Sequence, residues 1–418
     1  MSNEDRRVTR KSKVPAPLEP QVRFPDFQGT DAWITKSLKE VCEINPSNAG
    51  IPQRFIYIDL ESVEAGELKA GAVLNREDAP SRAQRPLKAG DVIFQIVRPY
   101  QRNNLHFSAE MEFPCVASTG YAQLRANESD GFLFQAVHAD DFVNRVIAKC
   151  TGSSYPAINS SDLADIRIAI PGMSEQEKIA DCLSSLDELV KTETQKLRTL
   201  ETYKMGLMQQ LFPCEGEATP RLRFSEFAKA GAWAKIPAGK IFSNRTERGR
   251  SGLPIYSVTM NDGMVPRDSL ARRVDDIAEA GINKAVRAGD IAYNMMRMWQ
   301  GALGVAPKDC MVSPAYVVLE PHEVNPFFFL HLLKLPKSLQ VLTAHSRGLT
   351  EDRLRLYFDD FAKIVLQCPS RREQDRIADF LMSMDKLITA QVEKVSVLNT
   401  HKNGLMQRLF PVIGEVAE

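Results

Sequence analysis

Apolar side chains recur at alternating intervals of four and three residues in two long stretches of the chain. The positions are Ile179, Leu183, Leu186, Val190, Leu197 and Leu200 in the first stretch, and Ile377, Leu381, Met384, Ile388, Val395 and Leu398 in the second. A spacing that averages 3.5 residues is typical of a coiled-coil seam. Pro213 and Pro411 end the two patterns, so each stretch predicts a helix of about 37 residues, or roughly 55 Å.

The starts of the two helices are less alike than their seams. Ser174 and Glu177 have the spacing of a capping box at the first start, whereas the second begins "SRREQ", which weakens that signal. Each helix could pack only on its own globular region. The sustained seam favours instead a pairing of the two helices. The long connection between them allows either direction, and we expect the antiparallel one, which relates the two halves by a pseudo-twofold axis.

The repeat extends beyond the helices. The stretch "RFPDF" from Arg23 matches "RFSEF" from Arg223, and Trp33 matches Trp233. The stretch "GLMQQLFP" from Gly206 matches "GLMQRLFP" from Gly404. About half of the positions in the two helical stretches are identical, whereas the rest of the repeat matches only in short islands. This indicates a tandem duplication of a globular unit followed by a helix.

The globular regions are predicted to be α/β. Short apolar runs bounded by Gly, Pro and Asp predict strands, among them "RFIYIDL", "DVIFQIV", "DIRIAI", "MVSPAYVVL" and "FAKIVLQCP". "DDFVNRVIAKC" and "PFFFLHLLKL" predict short helices. The predicted organisation is a disordered tail (1–20), a first globular domain (21–172), a first helical region (173–213), a second globular domain (214–370), a second helical region (371–411) and a C-terminal tail (412–418).

Composition narrows the class of protein. The chain has 418 residues with 53 basic and 53 acidic side chains, so its net charge is zero and any basic surface must be local. Its seven cysteines form no C-x-x-C pair, which argues against a zinc or disulfide framework. No apolar run is long enough to cross a bilayer. These features predict a cytoplasmic protein without membrane contact.

Motifs for intrinsic chemistry are missing from the sequence. There is no P-loop, no glycine-rich dinucleotide fingerprint, no H-E-x-x-H and no G-x-S-x-G elbow. We therefore expect no cofactor and no metal ion in this chain. A catalytic site assembled from distant residues remains an open alternative.

Two pairs of loops instead carry side chains suited to DNA. Arg can hydrogen-bond guanine with two donors, Asn and Gln can do the same with adenine, and small polar groups can contact phosphates. The candidates in the first unit are Arg98, Tyr100, Gln101, Arg102, Asn103 and Asn104, followed by Ser153, Ser154, Tyr155 and Asn159. Those in the second are Asn294, Arg297, Trp299 and Gln300, followed by Arg347, Thr350 and Arg353. A solvated polar loop is the alternative for each, but equivalent placement in both units favours the functional interpretation.

The chain from about residue 21 to residue 411 resembles the specificity (S) subunit of type I restriction–modification enzymes. The resemblance rests on "PGMSEQEKIADCLSSLDEL", "GSSYPAINSSDLADIRIAIP", "GLMQQLFP", their second copies, and "GDIAYNMMRMWQGALGVAPKDCMVSPAYVVLEP". It implies two α/β target-recognition domains joined by two helices in an antiparallel coiled coil, with pseudo-twofold symmetry. It also implies a bipartite double-stranded DNA target, with one half-site for each domain.

The resemblance implies partners as well. Two methyltransferase (M) subunits and the restriction (R) subunits would carry the S-adenosylmethionine, ATP and magnesium chemistry, and this chain would be non-catalytic. The polar helix positions Glu175, Gln176, Lys178, Gln374 and Arg376 are expected to remain available to the M subunits. The alternative is a scaffold that organises partners through its paired helices without reading DNA.

Overall fold

The computed structural model describes residues 18–64, 66–69, 71–108, 111–214, 216–270, 281–350 and 353–414. The chain forms two compact units. Unit 1 comprises Met1–Glu193 and Lys394–Glu418, and unit 2 comprises Thr194–Glu393. Each unit therefore combines one globular region with a portion of both long helices. The predicted tails fall largely on residues 1–17 and 415–418, which lie outside the described residues.

Unit 1 is an α/β structure. Its strands are β1 (Ile34–Ser37), β2 (Cys42–Ile44), β3 (Arg54–Ile58), β4 (Val63–Glu64), β5 (Glu67–Leu68), β6 (Ala72–Asn75), β7 (Ala83–Pro86), β8 (Asp91–Gln95), β9 (Leu105–Phe107), β10 (Cys115–Ser118), β11 (Tyr121–Ala126) and β12 (Arg167–Ile170). Its helices are α1 (Leu38–Val41), α2 (Asp130–Ala136), α3 (Asp140–Ala148), α4 (Ser160–Ala164) and the beginning of α5 (Met173–Leu211). One sheet has the antiparallel order β2-β11-β8-β9, and another has the order β6-β3-β10-β7 with β3 and β10 parallel.

Unit 2 repeats this plan with fewer strands among its described residues. The strands are β13 (Ala234–Pro237), β14 (Phe242–Asn244), β15 (Tyr256–Val258), β16 (Met264–Pro266), β17 (Lys284–Val286), β18 (Ile291–Asn294), β19 (Leu303–Val305), β20 (Cys310–Val312), β21 (Tyr316–Pro321) and β22 (Val365–Cys368). The helices are α6 (Pro326–Leu333), α7 (Pro336–Ala344), α8 (Phe358–Phe361) and most of α9 (Arg371–Leu409). The order β14-β21-β18-β19 matches β2-β11-β8-β9, and the pair β13-β22 matches β1-β12, which confirms the tandem α/β repeat.

Two strand predictions are corrected. The run "MVSPAYVVL" contributes to two strands rather than one, because the Tyr316 amide donates to the Ser313 carbonyl at 3.1 Å and forms a turn around Pro314. The run "FAKIVLQCP" starts at the end of α8 and becomes a strand only at Val365. Ser313 and Pro314 in the first run are a turn signal that the sequence interpretation did not use, and hydrophobicity alone does not separate the end of a short helix from the start of a strand in the second.

Both long helices have 39 residues and begin at Met173 and Arg371, the first residues of the predicted helical regions, but their caps differ from the prediction. The Gly172 carbonyl accepts hydrogen bonds from the amides of Glu175 and Gln176, both at 3.0 Å, so α5 begins before Ser174. Ser174 therefore lies in the first turn and is not the capping residue. In α9 the Ser370 hydroxyl accepts from the Glu373 amide at 3.4 Å, so the second start has a serine cap although its capping-box signal is the weaker of the two.

A buried ion pair holds the first turn of each long helix against its unit. Arg23 donates to both carboxylate oxygens of Glu175 at 2.9 and 2.7 Å, and Arg223 donates to both oxygens of Glu373 at 2.7 Å. The two glutamates are almost fully buried. In unit 2 the Trp233 indole also donates to Glu373 at 3.2 Å, whereas the buried Trp33 indole nitrogen has no hydrogen-bond partner in unit 1. We call these pairs the Arg–Glu clamps.

Residues at the end of a long helix also pack into the core of each unit. They follow α9 in unit 1 and α5 in unit 2. In unit 1 the Trp33 ring meets Phe410 edge-on, with centroids 6.2 Å apart and an interplanar angle of 89°. In unit 2 the Trp233 ring meets Phe212 at the same distance and angle. The "LFP" motif that ends both helices therefore supplies an aromatic side chain to a buried cluster, where edge-to-face packing is favourable.

Within each unit, the segments of α5 and α9 contact each other. In unit 1, Asp187 pairs with Lys402 and Glu193 pairs with Lys394, the second pair at 2.6 Å. Later positions of α5 thus pair with earlier positions of α9, so the two segments are antiparallel. The helix positions predicted to form the seam, from Ile179 to Leu200 and from Ile377 to Leu398, are all buried or half-buried.

Three of the helix residues expected to face partners instead lie inside their units, which corrects that expectation. Glu175 belongs to the first clamp. Gln176 and Gln374 are buried, and their amides donate to the Pro171 and Pro369 carbonyls at 3.1 and 2.9 Å. The repeated "EQ" at both helix starts is therefore explained by packing within each unit. Lys178 and Arg376 are exposed.

A short helix of each globular region also contacts the paired long helices. In unit 1, Gln135 of α2 donates to Asp187 at 2.8 Å. At the equivalent place in unit 2, the buried His331 of α6 lies 3.6 Å from Asp385, which pairs with Lys204. Burial lowers the pKa of His331 to about 4, and Lys204 also lowers it while Asp385 opposes the shift.

Replacement of a clamp glutamate should destabilise the protein. Glu373→Gln leaves the Arg223 guanidinium poorly compensated in the interior and should lower the free energy of unfolding by about 2–4 kcal/mol. The measurement is urea denaturation, with Glu177→Gln as the matched control, because Glu177 is exposed on the surface of α5. The control should change stability by less than about 0.5 kcal/mol. Equal midpoints for the two variants would show that the clamp does not stabilise the fold.

The buried His331 should make stability depend on pH. Its pKa in the folded state, about 4, lies below the ordinary value of 6.5, so only the unfolded chain binds the proton between these values. Stability is therefore complete above about pH 6.5 and falls, by on the order of 1–3 kcal/mol, as the pH drops towards 4. His331→Gln, which copies the residue at the equivalent position of unit 1, should weaken this dependence in urea titrations. The exposed His401→Gln should not, and identical pH profiles for all three proteins would contradict the assignment.

Candidate nucleic-acid interface

The first predicted loop of unit 1 follows the buried strand β8. It contains a 3-10 turn, Pro99–Gln101, flanked by Arg98 and Arg102, which both have left-handed backbone conformations with φ of 55° and 54°. Such conformations are unfavourable for side chains with a Cβ atom and cluster at functional sites. The loop is held by Asn104, whose side-chain oxygen accepts from the Gln95 amide at 2.8 Å.

The second predicted loop of unit 1 is a hairpin that packs against the first. Thr151 and Ala157 pair at its base, and Ala157 also pairs with Val97. The Arg98 amide donates to the Pro156 carbonyl at 2.7 Å, and the Arg98 guanidinium lies 4.3 Å from the centre of the Tyr155 ring. The fold therefore brings the two loops of unit 1 together.

The predicted residues of unit 1 differ in accessibility. Tyr100, Gln101, Ser153, Ser154, Tyr155 and Asn159 are exposed, Arg98, Arg102 and Asn103 are half-buried, and Asn104 is buried. Asn104 is therefore a structural residue of the loop, which corrects the expectation that it contacts DNA. Asn159 caps α4 by accepting from the Asp162 amide at 2.8 Å.

Arg102 makes internal contacts. Its guanidinium donates to Asp140 at 2.6 Å and to the His138 carbonyl at 3.1 Å, and this bond lowers the pKa of Asp140. The His138 ring lies 3.2 Å from the Asn104 amide, and burial lowers its pKa to about 4. Arg102 therefore joins the loop to α3, and its charge is largely balanced within the unit.

Unit 2 builds its first loop directly after β18. Asn294 accepts from the Met296 amide at 3.0 Å, and the Trp299 indole donates to the Met296 carbonyl at 3.1 Å. These contacts shape a tight loop from which Arg297 and Gln300 project into solvent, while Trp299 is half-buried.

The second loop of unit 2 is a hairpin whose base is the reciprocal backbone pairing of Arg347 with Arg355 at 2.9 Å. The Leu356 amide donates to the Met295 carbonyl at 3.0 Å, so this loop also lies beside the first loop of its unit. Arg347 donates to both oxygens of Asp360 at 2.6 and 2.9 Å, which lowers the pKa of Asp360. Thr350 and Arg353 are exposed; residues 351 and 352 lie outside the described part of the chain.

Ion pairing separates the arginines of this candidate interface into two groups. Arg102 and Arg347 are neutralised by carboxylates. Arg98, Arg297 and Arg353 form no ion pair with any of the described residues. Unpaired guanidinium groups on rigid loops, beside exposed amides and hydroxyls, are suited to contact base edges and phosphates.

Sequence reasoning missed two features of these loops. The pairing of Arg98 with Tyr155 joins residues far apart in the chain, and the side chain of Leu349, at the tip of the second hairpin of unit 2, is 99% exposed. One signal was available, because Gly152 and Gly348 follow the first residue of each hairpin, with φ of 90° and 158°. Glycine at equivalent places predicts a tight turn in both units.

The described ranges hold neither a metal site nor a membrane span. They contain no group of three or more His, Cys, Asp or Glu side chains placed to hold a metal ion. Among the same residues, no helix has the length and apolar character needed to span a bilayer.

Comparisons with known proteins agree with the duplicated architecture. A family model described as the type I restriction modification DNA specificity domain matches the chain twice, over residues 30–202 and 225–397. The HindI specificity subunit of Haemophilus influenzae is 25% identical over 162 residues, which cover 38% of this chain and 35% of that protein. The MjaVIII specificity subunit of Methanocaldococcus jannaschii is 22% identical over 278 residues, which cover 62% and 64%. The chain thus spans less than two thirds of either relative.

Two solved structures share the fold. The type I restriction–modification S subunit from M. genitalium has a TM-score of 0.59 and 15% identity, covering 95% of this chain and all of that one. A chain from a study of complex assembly and conformational transition of the type I R-M system has a TM-score of 0.54 and 23% identity, covering 91% and 97%. Since the family model matches most of the chain, once in each repeat, the chain belongs to the type I restriction modification DNA specificity family.

Proposed function

We propose that this chain is the sequence-reading subunit of a type I restriction–modification complex, and that each unit reads one half of a bipartite double-stranded DNA target. The observation that carries the proposal is that both units build the same pair of touching loops, the first after the equivalent strands β8 and β18 and the second after the equivalent helices α3 and α7. The loops present different side chains in the two units, as two independent half-site readers require. The loops of unit 1 carry Arg98 and Tyr155, whereas those of unit 2 carry Arg297 and Gln300.

The two long helices would set the distance between the half-sites. We propose that they pair along their lengths as an antiparallel coiled coil. The opposed direction of the segments in unit 1 and the burial of the seam positions support this pairing. In each unit a lysine of one helix pairs with an aspartate of the other, Lys402 with Asp187 and Lys204 with Asp385, which favours a single register.

The outer faces of the helices would bind two methyltransferase subunits. Leu189 of α5 and Leu387 of α9 occupy equivalent positions of the repeat and are 40% and 56% exposed. A duplicated apolar position next to charged residues suits two copies of one partner. Methylation and ATP-driven cleavage would reside on the methyltransferase and restriction subunits, with S-adenosylmethionine, ATP and magnesium bound there. Phosphate contacts from these partners would compensate for the zero net charge of this chain.

The function is tested by co-expression with the methyltransferase partner and genome-wide mapping of methylated adenines. Arg297→Ala should relax one position of a single half-site, with a loss of about 1–3 kcal/mol in discrimination. Lys235→Ala removes the same charge from the exposed edge of unit 2 and should leave the target unchanged. Methylation without any sequence preference in the wild-type complex would contradict the proposed function. Relaxation of both half-sites by Arg297→Ala would contradict independent reading.

The spacing role is tested by lengthening both helices together. Insertion of one heptad after Glu193 and another after Gln391, which occupy equivalent positions, keeps the 3.5-residue seam in phase. Each helix then grows by about 10 Å, and the spacer between the half-sites should grow by about three base pairs at roughly 3.4 Å per pair. A seven-residue insertion after Gly414 is the control. An active insertion variant that methylates at the original spacer would exclude the helices as the ruler.

A further inference from the structure

The backbone of Arg98 is held in a strained conformation by two hydrogen bonds. Its φ and ψ are both 55°, in the left-handed region, although the residue carries a long side chain and precedes Pro99. Its amide donates to Pro156 at 2.7 Å, and its carbonyl accepts from the Gln101 amide at 3.0 Å. The fold thus supplies the energy that keeps this one residue in an unfavourable conformation.

The Arg98 side chain is also restrained, by an aromatic ring and not by a carboxylate. The guanidinium carbon lies 4.3 Å from the centre of the Tyr155 ring, at a distance that gives a favourable cation–π contact. In contrast, Arg102, Arg125 and Arg145 in the same unit all bond to aspartates. Within the described part of the chain Arg98 has no carboxylate partner. The contact with the ring covers part of the guanidinium, and no described residue accepts a hydrogen bond from its N–H groups.

The hairpin also fixes Tyr155. Pro156 follows it, and the Thr151–Ala157 pairing closes the turn below it. Gly152, with φ of 90°, lies so close that an added Cβ atom would be 3.0 Å from the Tyr155 carbonyl oxygen. Tyr155 is nevertheless 66% exposed. Its contact with Arg98 gives a reason for this exposure.

We propose that Tyr155 is a positioning residue that presents the Arg98 guanidinium to a guanine in the half-site read by unit 1, an inference that rests on the function proposed above. A planar guanidinium with a free edge matches the O6 and N7 acceptors of guanine in the major groove. Restraint before binding reduces the entropy lost on docking. A phosphate contact would need neither the stacking nor the strained backbone, because a flexible lysine could make it.

The described residues of the two unit 2 loops lack this arrangement. Arg347 lies 5.7 Å from the Tyr357 ring, but its guanidinium is used by Asp360. The Trp299 indole is bonded to its own loop. The guanine preference is therefore assigned to the half-site of unit 1, and the other half-site serves as an internal control.

The test uses the complex of the full chain with its methyltransferase subunits and a library of DNA targets randomised in both half-sites. Arg98→Ala should lower the preference for guanine at one position by about 5- to 150-fold. Arg98→Lys, which keeps the charge but not the planar edge, should lower it in the same way. Tyr155→Ala should lower it by about 2- to 5-fold at that same position, whereas Tyr155→Phe should retain it. Recognition of the half-site of unit 2 should be unchanged in every variant, which also shows that each is folded.

Three results would overturn the proposal. They are an unchanged guanine preference in Tyr155→Ala, a preference retained by Arg98→Lys, and a uniform loss of affinity across all half-site positions, which would indicate a phosphate contact. A wild-type complex without sequence preference would refute the proposed function itself, and the guanine assignment with it. The two failures are therefore distinguishable.

Discussion

The Arg–Glu clamp at the start of each long helix is the interaction on which the rest of the structure depends. A buried carboxylate is costly unless hydrogen bonds and an opposite charge compensate for the lost water. Glu175 and Glu373 each receive two bonds from one arginine, so the first turn of the helix has one favourable position against its unit. The clamp thus anchors the start of each long helix to its own unit.

The clamps also explain which parts of the duplicated sequence stayed alike. "RFPDF" and "RFSEF" supply the clamp arginines, "EQ" supplies the glutamates and the buried amides beside them, and "LFP" supplies Phe410 and Phe212 to the tryptophan clusters. All of these residues lie where a globular region meets the two helices. Substitution there leaves a cavity or an unpaired buried charge, whereas substitution of the exposed loop residues, such as Gln101 or Gln300, does neither. The two units could therefore diverge in their loops while the helix contacts were kept.

Ion pairing distinguishes the loop arginines that support the fold from those that we propose to contact DNA. Arg102 and Arg347 are neutralised by aspartates and brace the loops. Arg98 and Arg297 form no ion pair with any described residue, and we propose that they contact DNA. A neutral chain can thus present a few positive groups at chosen points, and selectivity for bases requires that placement more than a large positive field.

The sequence by itself determined the features that depend on local order along the chain. The 3.5-residue period predicted both helices, the short apolar runs predicted most of the strands, and the motifs identified the family. The same period located the seam positions, because side chains three and four residues apart share one face of a helix.

Tertiary structure decided everything that depends on partners far apart in the chain. The cap of α5 was placed two residues too late, at Ser174, because the Gly172 carbonyl accepts the first helical hydrogen bonds. Glu175 and Asn104 have the polarity of surface residues, yet one bonds to Arg23 and the other holds the end of β8. The contact between Arg98 and Tyr155 spans more than fifty residues. A polar residue is suited equally to solvent and to a buried partner, and only the three-dimensional fold shows which of the two it meets.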